Sequence, residues 1–98
     1  MPSYSVPLRD MKFVYSELFD PTDISALPGF EDATEDLINP ILEEAARLAE
    51  NELFPLNTTG DLAGCQFDNG HVATPQAFID AYKHYGEGGW VGLPCDPK

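Results

Sequence analysis

Four side chains in this 98-residue chain are of the kind that bind transition metals: Cys65, His71, His84 and Cys95. Zinc sites are usually built from cysteine and histidine pairs a few residues apart, so that one turn presents two ligands to a tetrahedral ion. No two of the four have that spacing. A structural role is expected for each. The acidic run Glu31, Asp32, Glu35 and Asp36 lacks the alternating ligands and central glycine of a calcium loop. Its expected effect is to favour a helix start through the helix dipole. Glu43 and Glu44 are adjacent and point in different directions on a helix, so they are no convergent acid–base pair. Arg47, four residues after Glu43, is an expected ion-pair partner for it. Gly86-Glu87-Gly88-Gly89 contains glycines but follows a helical pattern rather than opening one. Phosphate binding at a helix start needs the reverse order, and a helix stop with a tight turn is the better reading. No Ser/His/Asp arrangement is legible. The residues themselves assign no catalytic, no cofactor-binding and no metal-binding position.

Charge narrows the classes of partner. Seventeen Asp and Glu face five Lys and Arg, for a net charge of −12. The basic residues, Arg9, Lys12, Arg47, Lys83 and Lys98, do not cluster. Contact with a phosphate backbone needs a basic patch, so nucleic acid is not expected as a partner. The same field repels anionic membranes and polyanions such as coenzyme A. No run of about 18 apolar residues is present, so no membrane-spanning helix is expected. The opening Met1-Pro2-Ser3-Tyr4-Ser5-Val6-Pro7 has no basic stretch followed by an apolar one. A cytoplasmic protein is expected, with Cys65 and Cys95 as free thiols. Hydrophobic residues make up 43% of the chain, enough for a folded domain rather than a disordered one. A chain of this length nevertheless has a thin core.

The elements that would position these residues read as mainly helical. The first helix is expected from Pro7 to about Phe19, with Pro7 at its first position, Ser5 or Val6 as cap, and Leu8, Met11, Val14, Tyr15 and Leu18 as one apolar stripe. Asp20-Pro21 should stop it. Residues 20–31 read as a loop pinned to the core by Ile24, Leu27 and Phe30. A second helix follows, with Asp32 and Glu35 as a capping box. Its apolar series is Leu37, Ile38, Ile41, Leu42, Ala45, Leu48, Ala49 and Leu53. Pro40 either bends or tightens this helix or, with Asn39 as cap, opens a fresh helix at its first position; one continuous helix is the favoured reading, and Phe54-Pro55 ends it. Asn57-Thr58-Thr59-Gly60-Asp61 reads as turn chemistry. Asp68-Asn69-Gly70 between Cys65-Gln66-Phe67 and His71-Val72-Ala73 predicts a short hairpin. Thr74-Pro75 opens a third helix, as a cap residue followed by proline at the first position. Its expected buried stripe is Phe78, Ala81, Tyr82 and Tyr85. Gly86, Gly88 and Gly89 end it, and Trp90, Val91, Leu93, Pro94 and Pro97 lead onward.

The order of segments says more than any one of them. Pro7-Leu8-Arg9-Asp10-Met11-Lys12-Phe13-Val14 and Leu27-Pro28-Gly29-Phe30-Glu31-Asp32-Ala33 are followed by Ile41-Leu42-Glu43-Glu44-Ala45-Ala46-Arg47-Leu48-Ala49-Glu50-Asn51. Pro55-Leu56-Asn57, Gly60-Asp61, Gly64-Cys65, Gly70-His71-Val72-Ala73-Thr74-Pro75, Ala81-Tyr82 and Gly88-Gly89-Trp90 continue the series. As an ordered set they resemble the N-terminal segment of the acyl-CoA dehydrogenase family, in the branch of 3-methylmercaptopropionyl-CoA dehydrogenase-like enzymes. The resemblance covers nearly the whole chain. It departs from the family at Pro40 and at Thr58-Thr59.

The resemblance implies a larger parent with an N-terminal helical domain, a middle β-domain and a C-terminal helical domain. FAD lies mainly between the last two. There a C-terminal glutamate takes the α-proton of the acyl-CoA thioester while the flavin takes a β-hydride. None of those parts can be carried onto a residue of this chain. The implied division is an N-terminal extension with one helix over residues 1–33 and the first part of the helical domain over 34–98. The expected role is structural, with no cofactor in this piece and an acyl-CoA and an electron acceptor as partners of the parent alone. Apolar faces left uncovered by three short helices lead to an expectation of self-association. The competing reading, from the charge, is a stand-alone acidic helical module that binds a basic protein.

Overall fold

A computed structural model describes residues 3–96. The expectations for Met1 and Pro2 at the start, and for Pro97 and Lys98 at the end, lie outside the described residues. The described chain is mainly helical with one two-stranded antiparallel hairpin. It divides into two compact units, the first through Asn51 and the second from Glu52 onward.

In the first unit, α1 (Leu8–Phe13) runs directly into a π-helical turn, Val14–Leu18. Pro7 caps this helix, one position before the expected place, and its carbonyl accepts from the Met11 N–H at 3.0 Å. The stretch expected as loop contains a short helix, α2 (Pro21–Ser25). Asp20 is its N-cap, and the Asp20 Oδ1 accepts from the Thr22 N–H at 3.0 Å and from the Thr22 hydroxyl at 2.6 Å. An acidic cap followed by proline at the first position is a helix start as much as a helix stop. The dipeptide ends one helix and begins the next. Ile24, Leu27 and Phe30 do not pin this stretch to a core; all three are exposed.

The longest helix is α3 (Glu35–Leu48), which continues through a second π-helical turn, Ala49–Leu53. Pro40 sits inside it without interrupting it. The expected capping box is not formed. Thr34, in extended conformation, is the N-cap, and Asp32 instead accepts from the Thr34 N–H through its backbone carbonyl at 2.8 Å. Two polar bonds tie the N-terminal segment to this helix and its extension. The Lys12 ammonium donates to the Glu43 carboxylate at 2.8 Å, and the Val6 N–H donates to the Glu50 carboxylate at 2.7 Å. The Tyr15 hydroxyl adds a bond to the Ala33 carbonyl at 3.2 Å.

In the second unit, residues read as turn chemistry form α4 (Leu56–Ala63). Gly60 is buried in it because the Phe78 ring lies against its α-carbon. A β-carbon there would stand 2.1 Å from Phe78 Cζ. The same glycine that lowers helix propensity is what lets α4 approach α5 (Gln76–Glu87). Between them, β1 (Gln66–Asp68) and β2 (His71–Ala73) pair in the register Gln66 with Ala73, Phe67 with Val72 and Asp68 with His71. Asn69 and Gly70 both have positive φ, 53° and 85°, as a two-residue type I′ turn requires. Pro75, not Thr74, caps α5, with the Phe78 N–H bonded to its carbonyl at 3.0 Å.

Burial is slight. Among the described residues the buried apolar side chains are Ala46 and Ala81, and no large side chain is fully buried. The expected stripe on α5 is buried only at Ala81 and half-buried at Tyr85; Tyr82 is 71% exposed. On the first helix, Leu18 is 66% exposed.

Candidate functional site

The candidate metal donors are placed on separate pieces of backbone. Cys65 lies just before β1, His71 begins β2, His84 sits in the last turns of α5, and Cys95 lies in the turn beyond it. Both thiols are exposed and unbonded. His84 faces an acid: its Nδ1 lies 3.2 Å from the Glu52 carboxylate. Among the described residues no group of three or more histidines, cysteines and acids converges on a common point.

The glycine run closes a helix. Gly88 is the C-cap of α5, and Gly89 follows with φ of 81°, a conformation that favours glycine. The Trp90 ring packs on Gly88, where a β-carbon would stand 2.8 Å from the indole nitrogen. No ring of free N–H groups faces outward here at a helix start.

The acidic groups are arranged locally. Glu31 folds back so that its carboxylate accepts from the Gly29 N–H at 3.2 Å. Backbone donors, its own N–H first and that of Gly29 second, hold this carboxyl below its ordinary value. Glu31, Asp32, Thr34, Asp36 and Leu37 line a shallow open depression of about 470 Å³. Asp20 is also held below the usual carboxylate range, first by the Thr22 hydroxyl and then by the Thr22 N–H. Glu43 is lowered by the hydrogen bond from Lys12, then by the Lys12 charge, with a smaller contribution from Arg47. Arg47 itself pairs with Glu44, one helical turn earlier, and not with Glu43 as its spacing had suggested. Lys12 approaches from the other helix and takes that place. All three lie at the surface: Glu31 in a local turn bond, Asp20 as a helix cap and Glu43 in an ion pair. None combines burial with a charge partner in a cleft, the arrangement that marks a tuned acid or base.

A concavity with mainly apolar lining lies along the first helix, where Asp10, Met11, Val14, Tyr15 and Phe19 border a groove of about 400 Å³. It is formed by the stripe read in the sequence. That stripe is exposed at Met11, Val14 and Leu18. The described residues can make a surface for contact.

By sequence this chain is similar to part of an acyl-CoA dehydrogenase. It is 31% identical over 91 residues to the 3-methylmercaptopropionyl-CoA dehydrogenase of Ruegeria pomeroyi. The match takes in 93% of this chain and 16% of the length of that protein. No family model matches the chain. The mainly helical fold with its small hairpin agrees with the helical domain that the resemblance implies.

The flavin dinucleotide that such a family implies finds no fit among the residues here. A dinucleotide needs donors for its diphosphate and a pocket for its rings. Among the described residues no polar or charged side chain is buried, the glycine run closes a helix, and the net charge of −12 opposes a diphosphate. No helix among the described residues is long and apolar enough to cross a membrane.

Proposed function

We propose that this chain is the N-terminal helical segment of a flavin-dependent acyl-CoA dehydrogenase and that its part is structural. It would form one wall over the acyl-CoA pocket and pack against the other domains. In that parent, residues 1–33 are the N-terminal extension and residues 34–98 open the helical domain. The parent removes hydrogens from the α and β carbons of an acyl-CoA thioester, with FAD as hydride acceptor and a base from outside this segment. Its further partner is an electron acceptor, and its compartment is the cytoplasm. The observation that carries the proposal is the match to one dehydrogenase across 93% of the chain.

Two measurements test it. The coding sequence beyond the codon for Lys98 should continue in frame into the remaining domains; an immediate stop in the native gene would count against the proposal. The purified 98-residue chain should stay colourless after incubation with FAD. A stoichiometric yellow complex would show a flavin site within it and overturn the structural role.

A second reading has one observation in its favour. The net charge of −12 with an open apolar groove on the first helix suits a module that binds a basic amphipathic protein. Recovery of one basic protein at stoichiometric level in a pull-down would favour it.

A further inference from the structure

Asn69 differs from the other asparagines of the chain in its backbone setting. Asn39 lies in α3 and precedes Pro40, which has no N–H. Asn51 lies in the π-helical turn and precedes Glu52; Asn57 lies in α4 and precedes Thr58. Only Asn69 stands outside a helix, at an exposed hairpin tip, with glycine after it. The tip is held by two three-residue strands whose side chains are all exposed. A hairpin this short, with no buried face, opens readily to sample other conformations.

We propose that Asn69 is a site of spontaneous covalent modification, converting to aspartate and isoaspartate through a cyclic imide. The Gly70 backbone nitrogen attacks the Asn69 side-chain carbonyl carbon. The new C–N bond closes a five-membered succinimide, and the old C–N bond to the side-chain amide breaks. Ammonia leaves, carrying the proton that was on the Gly70 nitrogen. Water then opens the ring at either carbonyl, giving aspartate or isoaspartate. No oxidation state changes. Glycine is the residue that makes this attack easy, because no side chain crowds the incoming nitrogen. Crowding by the side chains of Glu52 and Thr58, together with fixed helical backbone, opposes the same attack at Asn51 and Asn57. At Asn39 the attacking N–H is absent.

Both products add one negative charge to an already acidic chain. Isoaspartate also routes the main chain through the side-chain carbon, which lengthens a two-residue turn whose size fixes the strand register. The isoaspartate form should lose the pairing of Asp68 with His71 first.

The test is to hold the intact chain at neutral and at mildly alkaline pH and follow each asparagine by peptide mass spectrometry. A synthetic peptide spanning residues 66–73 runs alongside. Conversion should be confined to Asn69, rise with pH as the attacking nitrogen loses its proton more readily, and yield both products. The variant Asn69→Asp keeps a residue that tolerates the left-handed turn and has no amide to lose, so ammonia release should vanish. If Asn69 stays intact in the chain while the peptide converts, the hairpin protects it and the proposal fails. Equal conversion at Asn51 or Asn57 would also overturn it, because the hairpin setting would then be irrelevant.

Discussion

At the scale of single residues, two contacts define what the sequence could and could not reveal. Lys12 and Glu43 lie far apart in the chain and bond at 2.8 Å, while the near neighbour Arg47 turns to Glu44. Sequence spacing identifies partners on one helix but not partners on another. Because Lys12 holds the Glu43 carboxyl below its ordinary value, the sign of the pH dependence follows. The pair contributes fully above the ordinary glutamate range, about 4.3, and its contribution is lost as pH falls through the lowered value. Lys12→Met should move the Glu43 titration, followed by side-chain carboxyl NMR, up toward the ordinary range; an unmoved titration would show that the ion pair does not persist in solution. The second contact is Gly60 under Phe78. Gly60→Ala should destabilise the chain by about 1–3 kcal/mol through overpacking. In a Phe78→Ala background the same change should be neutral or stabilising by up to about 1 kcal/mol, because only helix propensity then remains. Urea melts of the four forms measure that reversal of sign. Additive destabilisation would mean that the ring does not pack on the glycine.

At the scale of elements, the parts with strong local determinants were legible. Asn69-Gly70 dictates a two-residue turn, and the strands on either side pair in the register that such a turn sets. The helical period from Leu37 to Leu53 identifies α3 and its π-helical extension. The elements that escaped were those whose local signals are weak or ambiguous. Asn57-Thr58-Thr59-Gly60 is poor helix sequence, and α4 forms there with Gly60 in contact with a distant ring. Asp20-Pro21 carries a start and a stop signal at once. Pro40 is the remaining anomaly. It removes one backbone donor, leaves the Asp36 carbonyl without its usual partner and crowds it with the ring. Replacing it with alanine should raise stability by about 1–3 kcal/mol, somewhat below the full propensity difference because alanine also frees the unfolded chain. Thermal melts compare the two proteins. A Pro40→Ala protein no more stable than the parent chain would show that the proline is accommodated by a bend that the packing uses.

At the scale of the whole molecule, the exposures agree with the expectation that three short helices leave apolar faces uncovered, while the stripe expected to be buried on α5 is buried only at Ala81. Periodicity shows which face of a helix is apolar; it does not show what covers that face. Val14, Leu18, Leu53, Phe78 and Tyr82 are exposed, and Leu48 and Trp90 are only half-buried. The dehydrogenase match spans 16% of its relative, so a parent of that kind would have ample chain to cover them. Extended apolar surface on a soluble protein marks a contact face. In isolation such faces should find one another, and a two-fold pairing of copies covers them at modest cost. Repulsion from the −12 charge opposes association and is screened by salt over about 8–10 Å near physiological ionic strength. Sedimentation equilibrium of the isolated chain at low and moderate salt is the most direct measurement. Self-association that strengthens as salt rises is the predicted result, since burial drives it and charge resists it. A clean monomer at high micromolar concentration in both conditions, melting cooperatively, would contradict the proposal that these surfaces belong to the interior of a larger protein.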